Sequence, residues 1–149
     1  MFRGRFDHTI DTKGRISIPS AFRMILERRS ERPPMLTNAF RCLHLYPYED
    51  WCELERKIVE NATEDMDFQA YQRLMLGGAA ECPIDKQGRL LVPPYLRNHA
   101  GLERDVTIAG VGPRIEIWDK ARFEADLMKT QARFNEIAST VAGLTRKES

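Results

Sequence analysis

The stretch Asp11-Thr12-Lys13-Gly14-Arg15-Ile16-Ser17-Ile18-Pro19-Ser20-Ala21-Phe22-Arg23 returns 74 residues later as Asp85-Lys86-Gln87-Gly88-Arg89-Leu90-Leu91-Val92-Pro93-Pro94-Tyr95-Leu96-Arg97. The aspartate, the glycine, the first arginine, the first proline and the last arginine are identical in the two copies. Further along, Leu43-His44-Leu45-Tyr46 corresponds to Ile115-Glu116-Ile117-Trp118 at an offset of 72. Self-similarity over this span makes the chain a tandem duplication whose halves should fold alike.

Working outward, each copy reads the same way. A short strand (residues 6–10 and 80–84) enters Asp-x-x-Gly-Arg, where Gly14 or Gly88 supplies the positive φ of a tight turn. A second strand (15–18 and 89–92) stops at a proline, which cannot donate to a ladder and instead opens a helix. The first such helix spans 20–29, with Phe22, Ile25 and Leu26 on one stripe and Pro33 and Pro34 ending it. The second spans 94–100 and closes at Gly101. Two strands follow in each copy, over 35–38 and 42–46, then 106–109 and 114–118.

Helices are expected over 47–60, carrying Trp51, Leu54 and Ile58, and over 66–76, carrying Met66, Ala70, Tyr71, Leu74 and Met75, before Gly77-Gly78 breaks the chain. One final helix is expected from 120 to about 141, with Phe123, Leu127, Phe134 and Ile137 on its apolar face, ahead of a frayed polar tail over 145–149. Halves of about 70 residues are marginal alone, so the two are expected to share one core in an α+β fold with intramolecular pseudo-two-fold packing. Their short strands leave edges of the kind usually covered by another copy.

With 149 residues, 42% of them hydrophobic, the chain has material for one ordinary core, which excludes disorder and collagen-like repeats. Its apolar runs, such as Leu90 to Tyr95, are far too short to span a membrane, and the N-terminal Arg3 and Arg5 precede no signal-peptide core, so a cytoplasmic location is expected. Cys42, Cys52 and Cys82 match no disulfide framework and read as reduced thiols. Cys42, His44 and Cys52 invite a zinc reading but lack paired short spacings, so no metal and no cofactor are expected.

Net charge is +1, but it is unevenly spread. Residues 1–32 hold eight Lys/Arg against four Asp/Glu, residues 33–81 four against nine, and residues 82–149 eleven against nine. A basic N-terminal segment beside an acidic middle is consistent with one positive face.

The arginine after each turn can lock onto its aspartate, leaving the turn structural, or extend as a bidentate donor to phosphate or guanine. Copy one carries Lys13 where copy two has Gln87, and only copy one is preceded by Arg3 and Arg5. Arg15, Lys13, Arg3 and Arg5 are therefore the candidate DNA-binding residues. Asp11, Gly14, Asp85, Gly88 and Arg89 are read as residues that build the motif, copy two serving as scaffold. Convergence of Arg3, Arg5, Lys13 and Arg15 on one exposed face would favour DNA binding. Dispersal, or pairing with Asp7 and Asp11, would favour an interaction scaffold.

No phosphate-binding loop, dinucleotide fingerprint, zinc-protease helix or nucleophile elbow is present, and His8, His44 and His99 have no evident nucleophile partner. The carboxylates Glu60, Glu64, Asp65 and Asp67 read as helix-start charge rather than a cation site. The chain is not expected to be an enzyme or to take a small-molecule substrate.

Met1-Phe2-Arg3-Gly4, His8 to Pro19, Gly78-Ala79, Asp85 to Pro93 and Ile115-Glu116-Ile117-Trp118 together resemble the bacterial MraZ family over nearly the whole chain. The resemblance implies two AbrB-like (SpoVT-type) swapped-hairpin units, residues 5–47, which contact DNA, and residues 79–122. Helices over 48–78 would link them, and residues 123–149 would form a C-terminal helix and tail. It further implies an octameric ring and a nucleoid-associated transcriptional regulator that binds double-stranded promoter repeats. By the same resemblance these repeats are expected upstream of the division and cell-wall gene cluster that includes its own gene. A non-catalytic ring scaffold or an antitoxin-like interaction protein is the alternative.

Overall fold

The duplication is visible in how the strands pair. The computed structural model describes residues 1–148. The first half contributes β1 (Phe2–Thr9), β2 (Arg15–Ser17), α1 (Ser20–Arg29), β3 (Met35–Asn38), β4 (Leu43–Tyr46), α2 (Tyr48–Glu60) and α3 (Met66–Met75). The second contributes β5 (Ala80–Glu81), β6 (Arg89–Leu91), α4 (Pro94–Ala100), β7 (Asp105–Gly112), β8 (Arg114–Asp119), α5 (Lys120–Ala132) and α6 (Phe134–Glu148). Six strands form an antiparallel sheet in the order β1-β7-β8-β4-β3-β5, and β2 pairs with β6 in a separate two-stranded ribbon. Exchanging β1 with β5, β3 with β7 and β4 with β8 maps the sheet onto itself.

The pseudo-two-fold axis passes through two residue pairs. In the ribbon, Ile16 faces Leu90, with Arg15 opposite Leu91 and Ser17 opposite Arg89. In the sheet, His44 faces Glu116, with Leu43 opposite Ile117 and Leu45 opposite Ile115. Each second strand thus pairs with the other half: Ile18 N donates to Gly88 O at 2.9 Å and Val92 N to Gly14 O at 2.8 Å. Neither half closes a core of its own. Ile16, Phe22, Leu36, Leu43 and Leu45 from the first half bury against Leu90, Leu96, Ile108, Ile115 and Ile117 from the second, between one face of the sheet and the ribbon with α1 and α4.

Four segments depart from the sequence expectation. β1 begins at Phe2 rather than residue 6, because Gly4 (φ +94) lies opposite Gly110, where a Cβ would come within 2.3 Å of the Arg3 nitrogen. Glycines on both strands let the backbones close and erase the alternating pattern. The strand expected over 80–84 is only Ala80–Glu81 with an isolated bridge from Ile84 to Leu90, since Pro83 between them has no N–H to donate. The single helix expected from 120 to about 141 is two helices. The Arg133 amide turns back to Thr130 O, and its own carbonyl accepts from Ile137 to start α6. Finally, the tail expected to fray is helical as far as Glu148, and Ser149 lies outside the described residues.

Candidate nucleic-acid interface

Both Asp-x-x-Gly-Arg turns are built by one carboxylate each. Asp11 Oδ1 accepts from the amides of Lys13 and Arg15, both at 2.9 Å, and its Oδ2 accepts from Arg15 Nε at 2.7 Å. Asp85 does the same for the amides of Gln87 and Arg89, both at 2.9 Å, and for Arg89 Nε at 3.3 Å. Gly14 (φ +93) and Gly88 (φ +78) make the reversal. The Arg15 amide, ahead of the partial desolvation that opposes it, and then the Arg15 guanidinium hold the Asp11 carboxyl down at about 2. Asp85 is lowered too, chiefly by the Arg89 amide.

The last arginine of each repeat reaches across to the other half. Arg97 Nη1 donates to Thr12 O at 3.4 Å, and its Nε donates to Leu102 O at 3.0 Å. The Arg23 guanidinium lies against Gly88, where a Cβ would meet Nη1 at 2.6 Å, while its Nε donates to Ile18 O at 3.1 Å. Each turn therefore has an arginine of the opposite repeat beside it. The sequence reading noted the identity of these two residues without a role. The signal was present, since a retained arginine that follows the helix start by three residues has no duty in its own turn.

Strand alternation separates the candidate cations. On the ribbon, Ile16 and Leu90 point into the core and Arg15, Ser17, Arg89 and Leu91 point outward. Lys13 and Lys86 are exposed at the two turn tips. On β1, Phe2 and Phe6 pack edge-on against Phe22 in that same core, so Arg3 and Arg5 lie on the opposite face of the sheet. There the Arg5 guanidinium sits 5.7 Å above the Phe123 ring of α5. The structure therefore does not bring Arg3 and Arg5 together with Lys13 and Arg15, and Arg15 is paired with Asp11, so the placement of these four cations by itself favours the scaffold. The six cations it does gather belong equally to both repeats: Lys13, Arg15 and Arg97 at one end of the ribbon, Lys86, Arg89 and Arg23 at the other. Gly14 and Gly88 stand opposite residues four apart on the partner strand, which puts the two turns about 13 Å apart at ~3.3 Å per residue.

The sheet face remote from the ribbon holds a second polar cluster. Glu116 accepts from His44 Nε2 at 3.1 Å, Arg114 Nη2 at 3.0 Å and Trp118 Nε1 at 3.0 Å. Burial pushes the Glu116 carboxyl up, but the donors from His44, Trp118 and Arg114 outweigh it and hold it at about 2. Cys42, His44 and Glu116 bring ligand atoms within 4.8 Å of one another. Arg114, however, already donates to Glu116 through both Nε and Nη2, so a fixed cation occupies the place where a metal would compete. Cys52, the third residue of the zinc reading set aside on spacing, stands on α2.

The remaining candidates for chemistry serve the fold. Burial pushes the thiols of Cys42 and Cys82 up to about 12, far from a reactive thiolate. His8 bonds Ser17 O at 2.6 Å and His99 bonds Ala39 O at 2.8 Å. Asp65 caps α3 through the amides of Asp67 and Phe68. Among the described residues no helix is long and apolar enough to cross a membrane.

Comparison with known proteins agrees with this duplicated architecture. The family model described as "MraZ protein, putative antitoxin-like" matches twice in tandem, over residues 1–74 and 75–145. The chain is 41% identical to the "Transcriptional regulator MraZ" of Caldanaerobacter subterraneus subsp. tengcongensis over 138 residues, covering 93% of this chain and 94% of that protein. It is 44% identical to proteins of the same name from Acetivibrio thermocellus over 125 residues (84% of this chain, 85% of that protein) and Thermoanaerobacter pseudethanolicus over 138 residues (93% and 94%). With both halves matched and relatives similar along nearly their whole length, the chain belongs to the MraZ family.

Proposed function

We propose that this chain is a DNA-binding transcriptional regulator, not an enzyme, and that its β2–β6 ribbon enters the major groove. The observation that carries the reading is the outward face of the ribbon, where Arg15 and Arg89 project from diagonal positions about a pseudo-two-fold axis. A two-stranded ribbon fits the roughly 12 Å wide major groove, and paired arginines suit guanine edges or flanking phosphates. The dyad of the ribbon matches the local dyad of duplex DNA. The names of the relatives, "Transcriptional regulator MraZ", support the same conclusion.

Within this reading, residues 5–47 and 79–122 are two AbrB-like units, and the exchanged pairing of β2 with β6 is their swapped hairpin. Residues 48–78 are helices that link them, and residues 123–149 a C-terminal appendage. Both turns contact DNA, which revises the expectation that copy one binds while copy two is scaffold. Arg3 and Arg5 act at most on a second stretch of DNA or on a partner subunit.

The subunits assemble into a ring, octameric as in the family resemblance. In support, α6 exposes Phe134, Val141 and Leu144, while α2 and α3 expose Val59, Met66, Tyr71 and Leu74 in an acidic surround. Residues 120–148 hold six Lys/Arg against four Asp/Glu, and residues 48–75 three against eight, so the two helical appendages are complementary in charge. Linked subunits bind successive promoter repeats with an avidity that one weakly charged subunit lacks. The site of action is the nucleoid in the cytoplasm, at repeats upstream of the division and cell-wall cluster that includes the protein's own gene. The test is a titration of purified protein on its own upstream region and on a shuffled duplex of equal length. Preferential binding of the former is expected. Equal, salt-sensitive binding of both, or none, would favour the scaffold or antitoxin-like alternative.

A further inference from the structure

We propose that Leu91 is a specificity-determining residue that reads the 5-methyl group of a thymine beside the base pair faced by Arg15. The inference rests on the ribbon as the DNA-contacting surface and adds to it a ligand group and a direction. Leu91 is 56% exposed although its strand neighbour Leu90 is fully buried. It therefore contributes little to the core, and it stands directly opposite Arg15 on the cationic face.

Its side chain lies over the first turn. A Cβ on Gly14 would be 3.7 Å from Leu91 Cδ1 and 3.6 Å from Arg97 Nη1, so the isobutyl group is an apolar spot set between arginines. Major-groove edges are polar except for one group, the thymine methyl, and an exposed aliphatic side chain flanked by guanidinium groups matches that pattern. The pseudo-equivalent position, opposite Arg89, is Ser17. A near-symmetric ribbon thus carries an apolar reader at one end and a hydroxyl at the other. The two half-sites it prefers must differ, and the subunit lies on each repeat in one direction.

The experiment uses a duplex carrying one upstream repeat, replaces each of its thymines singly by deoxyuridine, which removes only the methyl, and titrates wild type, Leu91→Ala and Leu91→Ser against each duplex. Light scattering records the oligomer of each protein. One thymine per repeat is expected at which wild type loses about four-fold in affinity, the equivalent of burying one methyl-sized group. Both variants should be indifferent to that substitution, bind the unmodified duplex as wild type binds the deoxyuridine duplex, and keep the wild-type mass. Wild type that binds DNA yet ignores every deoxyuridine overturns the inference and leaves the ribbon reading intact. A loss of oligomer mass in Leu91→Ala also overturns it, by assigning the residue to contact with another copy. Wild type that binds no duplex removes the ribbon reading and this inference with it.

Discussion

Arg15 and Asp11 are joined twice: the Arg15 amide donates to Asp11 Oδ1 at 2.9 Å and its Nε donates to Asp11 Oδ2 at 2.7 Å. One carboxylate thereby fixes the backbone and the side chain of the same arginine. The guanidinium uses Nε for this bond and keeps the four N–H groups of its terminal nitrogens for a ligand. The ion pair is therefore compatible with DNA contact and orients the side chain for it, at the cost of part of its net charge.

Asp11→Asn keeps an oxygen for the two amides but can place an amide NH2 group against Arg15 Nε. DNA affinity is expected to fall about ten-fold, the order of one charge-assisted hydrogen bond, and thermal stability to fall as well, because the bond to Arg15 Nε is lost. The Asp11 carboxyl is depressed from 3.8 to about 2, so its stabilising effect is complete above about pH 4 and is lost as pH falls from there through about 2. Binding measured between pH 8 and pH 5 should accordingly show no step attributable to this residue.

The glycines of the two turns are expected to be intolerant to different degrees. Gly14→Ala forces a side chain onto φ +93 with the Val92 carbonyl 3.1 Å from its Cβ, whereas Gly88→Ala at φ +78 must also displace the Arg23 guanidinium. Each change should cost about 1–2 kcal/mol from backbone strain, with Gly14→Ala the worse of the two because the Val92 carbonyl cannot swing aside as the Arg23 side chain can, as read by urea unfolding.

Glu116 offers a pH-resolved test of the sheet cluster. Its carboxyl is lowered from 4.5 to about 2, so its contribution is complete above about pH 4.5 and disappears as pH falls through about 2. Glu116→Gln should cost on the order of 3 kcal/mol at pH 7, by the linkage between a depressed carboxylate and stability, and progressively less toward pH 2. Urea unfolding of both proteins at pH 7 and pH 2.5 checks it, and an equal gap at both values would contradict the assignment.

Much of the fold was legible because the signals are local. The repeat fixed the turns, the prolines set the starts of α1 and α4, and periodicity located α2 and α3. Pairing was not legible. Nothing in the residues around Ile16 says that β2 pairs with β6 rather than closing a core within its own half, since that choice rests on burying Ile16 against Leu90 between distant segments. The face of β1 was missed for a related reason. Arg3 and Arg5 are close to Lys13 in sequence, but with Phe2 and Phe6 anchored in the core, strand alternation turns the arginines to the other side of the sheet. Arg23 and Arg97 went unassigned because their partners lie in the opposite repeat.

Assembly should depend on α6. Val141→Asp combined with Leu144→Asp places charge in an exposed apolar stripe that no core requires. The doubly substituted protein is expected to keep the wild-type circular dichroism, to scatter light as a smaller species than wild type, and to bind an array of repeats more weakly while binding a single repeat as wild type does.

The central claim is that both turns of one ribbon, and not the N-terminal arginines, form the DNA surface. The direct measurement compares Arg15→Ala, Arg89→Ala and the double variant Arg3→Ala/Arg5→Ala in salt titrations on the upstream repeats, with circular dichroism to establish that each is folded. Arg15→Ala and Arg89→Ala should lose affinity by similar factors, each equivalent to about 1–3 kcal/mol, while Arg3→Ala/Arg5→Ala stays within a few-fold of wild type. Unchanged binding by the two ribbon variants, together with loss of binding when Arg3 and Arg5 are removed, would contradict the account.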